Sequence, residues 1–179
     1  MNAGDAFTDI VRRFRGVAPA ADFWSLRVVQ ERDDHLAVRR GVVQPPRTGL
    51  DLGVMVTVCA DGGTGYAGTC DVTASGLARA VAEALDWARC SAGRSVVDPR
   101  LVPRDPVRGA YASRVTEPWE STSLRDKTDL LRTQCERLKC DDRIVDWSAA
   151  LWRTAARTLF VTSTGSAVEQ RFDVLLPML

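Results

Sequence analysis

The stretch from Leu50 to Cys90 limits most sharply what this chain can fold into. Leu50, Leu52, Val54, Val56 and Val58 alternate with other residues, so they share one face of a half-buried strand. Asp61-Gly62-Gly63 follows as a tight-turn signal, because glycine reaches positive φ without a Cβ clash. Tyr66 opens a short return strand. A helix is then predicted from about Thr73 to Cys90, with Leu77, Ala80, Val81, Ala84, Leu85 and Ala88 on one face. A strand, a glycine-rich hairpin, a second strand and an alanine-rich helix in immediate succession leave the rest of the chain to pack around them.

Upstream, Ala6, Phe7, Ile10, Val11 and Phe14 fall at helical spacing, and Gly16 and Pro19 end that helix. Trp24, Leu26 and Val28 predict a first strand, Arg32-Asp33-Asp34 a turn, and Leu36, Val38, Arg40 and Val42 one face of a second strand. Pro45-Pro46 then forces a loop, since proline cannot donate to a strand ladder. Downstream, periodicity fades between Ser91 and Pro118, and Pro99, Pro103, Pro106 and Pro118 punctuate an irregular connection. That segment is expected to cross the surface or to mark a seam between two subdomains.

Order returns at Ser123, an N-cap for a helix whose inward stripe reads Leu124, Thr128, Leu131, Cys135 and Leu138. Three strands are expected next: one around Val145, Trp147, Ala149 and Leu151, one around Leu159 and Val161, and one from Val168 to Leu176 after a Thr164-Gly165-Ser166 turn. Each half of the chain thus reads as a helix plus an antiparallel meander. The fold class is α+β: antiparallel sheets with helices packed on one face. Phe172 to Leu179 is apolar and strand-like with no closing turn, so the chain is expected to be a piece of a longer protein, or to donate that strand to another subunit's sheet.

Charge sets limits on partners. The 24 basic and 23 acidic residues leave a net charge of +1, which gives no electrostatic reason to expect nucleic acid or an anionic membrane. The start lacks a basic, then apolar, leader pattern. Five cysteines (Cys59, Cys70, Cys90, Cys135, Cys140) show no C-x-x-C spacing and are expected to be reduced, mostly buried thiols of a cytosolic protein. With His35 as the lone histidine, a zinc site is not expected. His35 has no evident nucleophile to activate. Asp61-Gly62-Gly63-Thr64-Gly65 lacks the G-K-[ST] ending of a phosphate loop. Asp33-Asp34 and Asp141-Asp142 read as turn carboxylates. Trp24, Trp147 and Trp152 are expected in the core or on a sheet face, and Trp119 at a contact surface. No catalytic, cofactor-binding or metal-binding residue is assigned.

The order of elements resembles the N-terminal domain of the TldD/PmbA family, peptidases also called modulators of DNA gyrase. The residues that carry the likeness are Leu52-Gly53-Val54-Met55-Val56, Asp61-Gly62-Gly63, Gly65-Tyr66-Ala67-Gly68-Thr69, Asp71-Val72-Thr73 and the helix from Leu77 to Ala88-Arg89. Ser123-Leu124-Arg125-Asp126-Lys127 and Thr164-Gly165 continue it, from about Phe23 onward. The resemblance implies a cytoplasmic zinc metallopeptidase acting on short or unfolded peptides. It implies assembly as a dimer with itself or a related subunit; the near-neutral charge, in turn, argues against direct nucleic-acid or membrane contact. The family's H-E-x-x-x-H motif lies in its C-terminal half and has no counterpart here, so zinc is expected outside this chain and the chain alone is expected to be inactive. The other reading is a free-standing interaction module that pairs through its terminal strand.

Overall fold

The computed structural model describes residues 3–179, with side chains from Ala6 onward. Among these residues there are three α-helices: α1 (Ala3–Arg15), α2 (Ala74–Ser91) and α3 (Leu124–Leu138). The strands are β1 (Phe23–Arg39), β2 (Val42–Val43), β3 (Arg47–Ala60), β4 (Gly63–Thr69), β5 (Arg108–Ala112), β6 (Ser148–Thr162) and β7 (Ala167–Met178). They hydrogen-bond in the order β4-β3-β1-β6-β7-β5, with β2 paired to β1, in one seven-stranded sheet. The class is α+β, as the sequence predicts.

Two expected breaks are absent. Arg32-Asp33-Asp34 is not a turn; β1 runs unbroken through it, and from Leu26 onward its buried residues keep to even positions at Leu26, Val28, Asp34, Leu36 and Val38. The chain reverses instead at Arg40 (φ 52°) and Gly41 (φ 78°), which lets Val42 and Val43 pair back on Arg39 and Val38. Likewise the two strands expected between Val145 and Ser163 are one strand, β6, and Val145 lies outside it. A further strand, β5, lies in the segment read as irregular. All five of its residues are exposed, so no buried face marks it in sequence.

The chain resolves into two compact units. Among the described residues the first comprises 3–30, 52–111 and 157–170. Its core gathers Phe7, Ile10 and Phe14 of α1, Leu26 and Val28 of β1, Val56 and Val58 of β3, and Leu77 and Ala84 of α2. Trp24 packs against this cluster, with its ring edge-on to Phe14 at 5.1 Å. β3 and β4 form a hairpin in which Ala60 faces Gly63 across the two-residue turn Asp61-Gly62, both at positive φ. α2 begins at Thr73, whose hydroxyl accepts from Gly76 N–H at 3.1 Å. The helix backbone lies directly against β4. A Cβ added at Gly63 would stand 2.0 Å from the Ala88 carbonyl oxygen, so no larger residue fits there.

The second unit comprises residues 31–51, 112–156 and 171–179. Its smaller core holds Leu36 and Val38 of β1, Leu131 and Cys135 of α3, and Ala149 and Leu151 of β6. Ser123 caps α3, accepting from Asp126 N–H at 3.1 Å. The inward stripe differs from the expected one: Leu124 is exposed and Lys127 is buried. Lys127 donates from Nζ to the carbonyl oxygens of Trp119 (2.5 Å) and Thr122 (2.7 Å), so its charge is solvated by the backbone of the preceding turn.

Candidate functional site

In the second unit the polar middles of two long strands meet. Arg153 of β6 is buried and gathers three carboxylates: Asp173 of β7 at 2.5 Å, Glu120 at 3.1 Å and Asp34 of β1 at 3.4 Å. The hydrogen bonds to Asp173, more than the opposing burial, hold the guanidinium pKa above its ordinary value. Burial alone would push the Asp34 carboxyl up. Hydrogen bonds from Arg32, Thr48 and Arg153, together with the Arg32 charge, outweigh that and hold it below the usual carboxylate range. Next to it, Asp33 accepts from Thr154 Oγ1 at 2.5 Å and from Trp152 Nε1 at 3.1 Å, and these bonds lower its pKa.

His35 lies on the same part of β1. Its ring meets Trp152 edge-on at 6.0 Å, and both line a shallow pocket of about 280 Å³ with Asp33, Arg47 and Gly49. The chemistry available is limited. Asp33 is held ionised as an acceptor and is unsuited to take a proton near neutrality. No serine or cysteine lines the pocket to serve as a nucleophile. Every buried side-chain nitrogen and oxygen among the described residues has a hydrogen-bond partner, so no orphaned group aims at a missing ligand. Asp34 and Arg153 therefore form a charged joint on one face of the sheet, and Asp33, His35 and Trp152 line a shallow polar pocket on the other, with no catalytic constellation assembled there among the described residues.

The other residues singled out in sequence are dispersed. Asp61-Gly62 makes the β3–β4 turn, and Gly63, Thr64 and Gly65 belong to β4. Asp141 accepts from Arg143 in a surface turn, and Asp142 is exposed beside Lys139. The expectation of mostly buried thiols is corrected: Cys59 and Cys135 are buried, but Cys70, Cys90 and Cys140 are exposed, and all are free. Cys70 follows the end of β4, Cys90 sits on the outer side of the last turn of α2, and Cys140 lies beyond α3, positions where no core reaches. Trp119 is half-buried rather than at the surface, because Lys127 Nζ stacks over its ring at 3.9 Å. Trp147 packs on the second core, and Trp152 is a largely exposed sheet-face residue. Sequence reading missed Arg153. Its only signal is a basic residue at a position whose neighbours Leu151 and Ala149 are buried in the same alternation.

No group of three or more His, Cys, Asp or Glu among the described residues is arranged to hold a metal ion. No helix among them is long and apolar enough to cross a membrane.

Several solved structures share this fold. TldE from Thermococcus kodakarensis superposes with a TM-score of 0.65 at 16% identity, over 95% of this chain and 37% of its own. A candidate modulator of a DNA gyrase from Thermotoga maritima gives 0.67 at 18% identity, over 96% and 38%. Another, from Bacteroides thetaiotaomicron, gives 0.68 at 14%, over 94% and 38%. The chain thus spans less than two-fifths of the length of these relatives. No curated protein matches it in sequence. Residues 24–88, from β1 to the last turns of α2, match the family profile described as PmbA/TldA metallopeptidase domain 1. Over that stretch, about a third of the chain, the sequence is similar to the first domain of these metallopeptidases.

Proposed function

We propose that this chain serves as the N-terminal, non-catalytic domain of a TldD/PmbA-like zinc metallopeptidase. In that role it helps to enclose the peptidase chamber and to assemble a dimer, with itself or with a related subunit, in the cytoplasm. The observation that carries this reading is the family match over residues 24–88, at the start of a fold that covers less than two-fifths of its longer structural relatives. The zinc implied by the family finds no fitting set of residues here. His35 faces Trp152, Asp33 is engaged by Trp152 and Thr154, and no third ligand joins them. We therefore derive no step of hydrolysis from this chain.

Metal analysis and cleavage assays on unfolded peptides test the reading. The purified chain is expected to hold no stoichiometric zinc and to cleave nothing. Bound zinc at one per chain, together with cleavage, would reject it.

A second reading, a free-standing module pairing through its last strand, draws on the exposure of Val174, Leu175 and Leu176 in β7. Reading the coding sequence past codon 179 separates the two: H-E-x-x-x-H downstream rejects the module, and an immediate stop rejects the domain.

A further inference from the structure

β4 is an edge strand of the sheet, and its hairpin geometry fixes which backbone groups it leaves open. In a two-residue hairpin the closing pair, here Ala60 and Gly63, exchanges hydrogen bonds, and bonded and non-bonded pairs then alternate. Gly65 and Ala67 therefore bond to β3, and Thr64, Tyr66 and Gly68 turn their N–H and C=O groups away from it. Thr64 confirms the parity. Its N–H donates to Ser91 Oγ at 2.8 Å on the outer side, and the Ser91 hydroxyl lies 2.8 Å from its carbonyl oxygen. Its side chain meets that of its opposite number Cys59 at 3.5 Å, as in a non-bonded pair. Ser91 thus closes the edge at Thr64. The outward groups of Tyr66 and Gly68 have no partner among the described residues.

Beside this open edge runs a groove of about 660 Å³, walled by the outer flank of α2. Trp87 is exposed along it, and Tyr66 is exposed on the opposite face of the strand. A strand laid along β4 would place alternate side chains over Trp87 and beside Tyr66. The charges at the two ends differ. β4 runs opposite to α2, since Gly63 abuts Ala88 and Ser91 while Gly65 abuts Ala84 and Trp87. Glu83 therefore lies toward the Gly68 end and Arg94 toward the Thr64 end, and neither has an ion-pair partner among the described residues. From Glu83 to Ser91 the helix rises about 12 Å, the length of about four extended residues.

We propose that this edge and groove bind a short extended segment of a partner polypeptide, antiparallel to β4, with a basic residue at the segment's amino end against Glu83 and an acidic residue at its carboxyl end against Arg94. The segment is bare, with no helix behind it. A second copy pairing through its own β4 would bring its α2 along, and strands about 4.8 Å apart cannot seat two helices that need about 8 Å between axes. Ser91 limits the register to a short segment, because a longer strand would meet the capped Thr64. This inference uses β4 and α2 alone and does not depend on the peptidase reading.

The test titrates the 179-residue chain with the capped peptide acetyl-Lys-Val-Thr-Val-Glu-amide, following Trp87 fluorescence and the exchange rates of individual amides. Slowed exchange at Tyr66 and Gly68 is expected at saturation. A fully N-methylated version of the peptide, which lacks backbone donors, should bind about tenfold more weakly. Gly68→Pro removes one outward N–H at an edge position that tolerates proline, and should weaken binding by about the same factor. The double variant Glu83→Lys/Arg94→Glu leaves the backbone untouched and should instead prefer the peptide with its two charged ends exchanged. Unprotected Tyr66 and Gly68 amides at millimolar peptide would overturn the proposal. So would equal binding of the N-methylated peptide, or protection that appears without peptide and grows with protein concentration, which would mark self-association.

Discussion

Gly65 stands so close to α2 that a Cβ on it would lie 2.1 Å from the Ala84 carbonyl oxygen and 2.4 Å from the Ala88 amide nitrogen. Both neighbours are helix backbone and cannot swing aside. Gly65→Ala must lift α2 off β4, and is expected to cost about 3 kcal/mol, the upper range for overpacking a core. Gly49, with open space around it and no positive φ, is the matched control. Gly49→Ala should be neutral or stabilise by about 0.5 kcal/mol through the unfolded chain. Urea midpoints at constant slope measure both, and equal midpoints for the two variants would contradict this packing.

Arg153→Met fills similar volume but strips Asp34 and Asp173 of their shared counter-charge. Removing one partner of a buried pair leaves a desolvated charge, at a cost of about 3–5 kcal/mol. Replacing Asp34 by Leu in the same chain should recover part of that loss, because the orphaned carboxylate is gone. A double-mutant cycle that shows no coupling between the two positions would dissolve the joint described above.

Acid should unfold the protein through the same carboxylates. Asp33 and Asp34 both have folded pKa values below their unfolded ones. Their stabilisation is therefore complete above the unfolded value of about 4 and is lost as pH falls through the folded values. The urea midpoint is expected to stay level from mildly alkaline pH down to about pH 5 and to fall steeply below about pH 4. Asp34→Asn should make that fall shallower. A midpoint that rises on acidification would reverse the sign of this linkage.

Lys127→Met removes the donor to Trp119 O and Thr122 O and the cation over the Trp119 ring. Two carbonyls lose a charged partner, for about 3 kcal/mol in total. The local readout is more specific: Trp119 gains solvent, and its emission should shift to longer wavelength. An unshifted spectrum would show that the turn at Trp119 is held by other contacts.

Much of this architecture is legible from periodicity alone. The apolar faces of α1 and α2 and the β3–β4 hairpin all follow from residues at period 3.6 or 2, because each buries against neighbours that apolar spacing reveals. Periodicity breaks down at the polar middles of β1 and β6. Arg32-Asp33-Asp34 has the composition of a turn, and Arg153 interrupts an otherwise apolar alternation. These segments are explained by one another across 119 residues of sequence, where Arg153 meets Asp34 and Trp152 meets Asp33. Local propensity carries no record of so distant a partner. The candidate site was obscured for the same reason, since His35 acquires its setting only when β6 brings Trp152 beside it.

The meeting of Asp34 and Arg153 also discriminates between strand alignments. Side chains alternate between faces, so a slip of one residue between β1 and β6 would carry the guanidinium to the other side of the sheet. Asp34 would then keep only Arg32, on its own strand, as counter-charge, while the neighbouring apolar residues could still find hydrophobic surface. Greasy strands tolerate such errors; a charge pair does not. The alignment of two strands of 17 and 15 residues is thereby specified by charge as well as by apolar spacing.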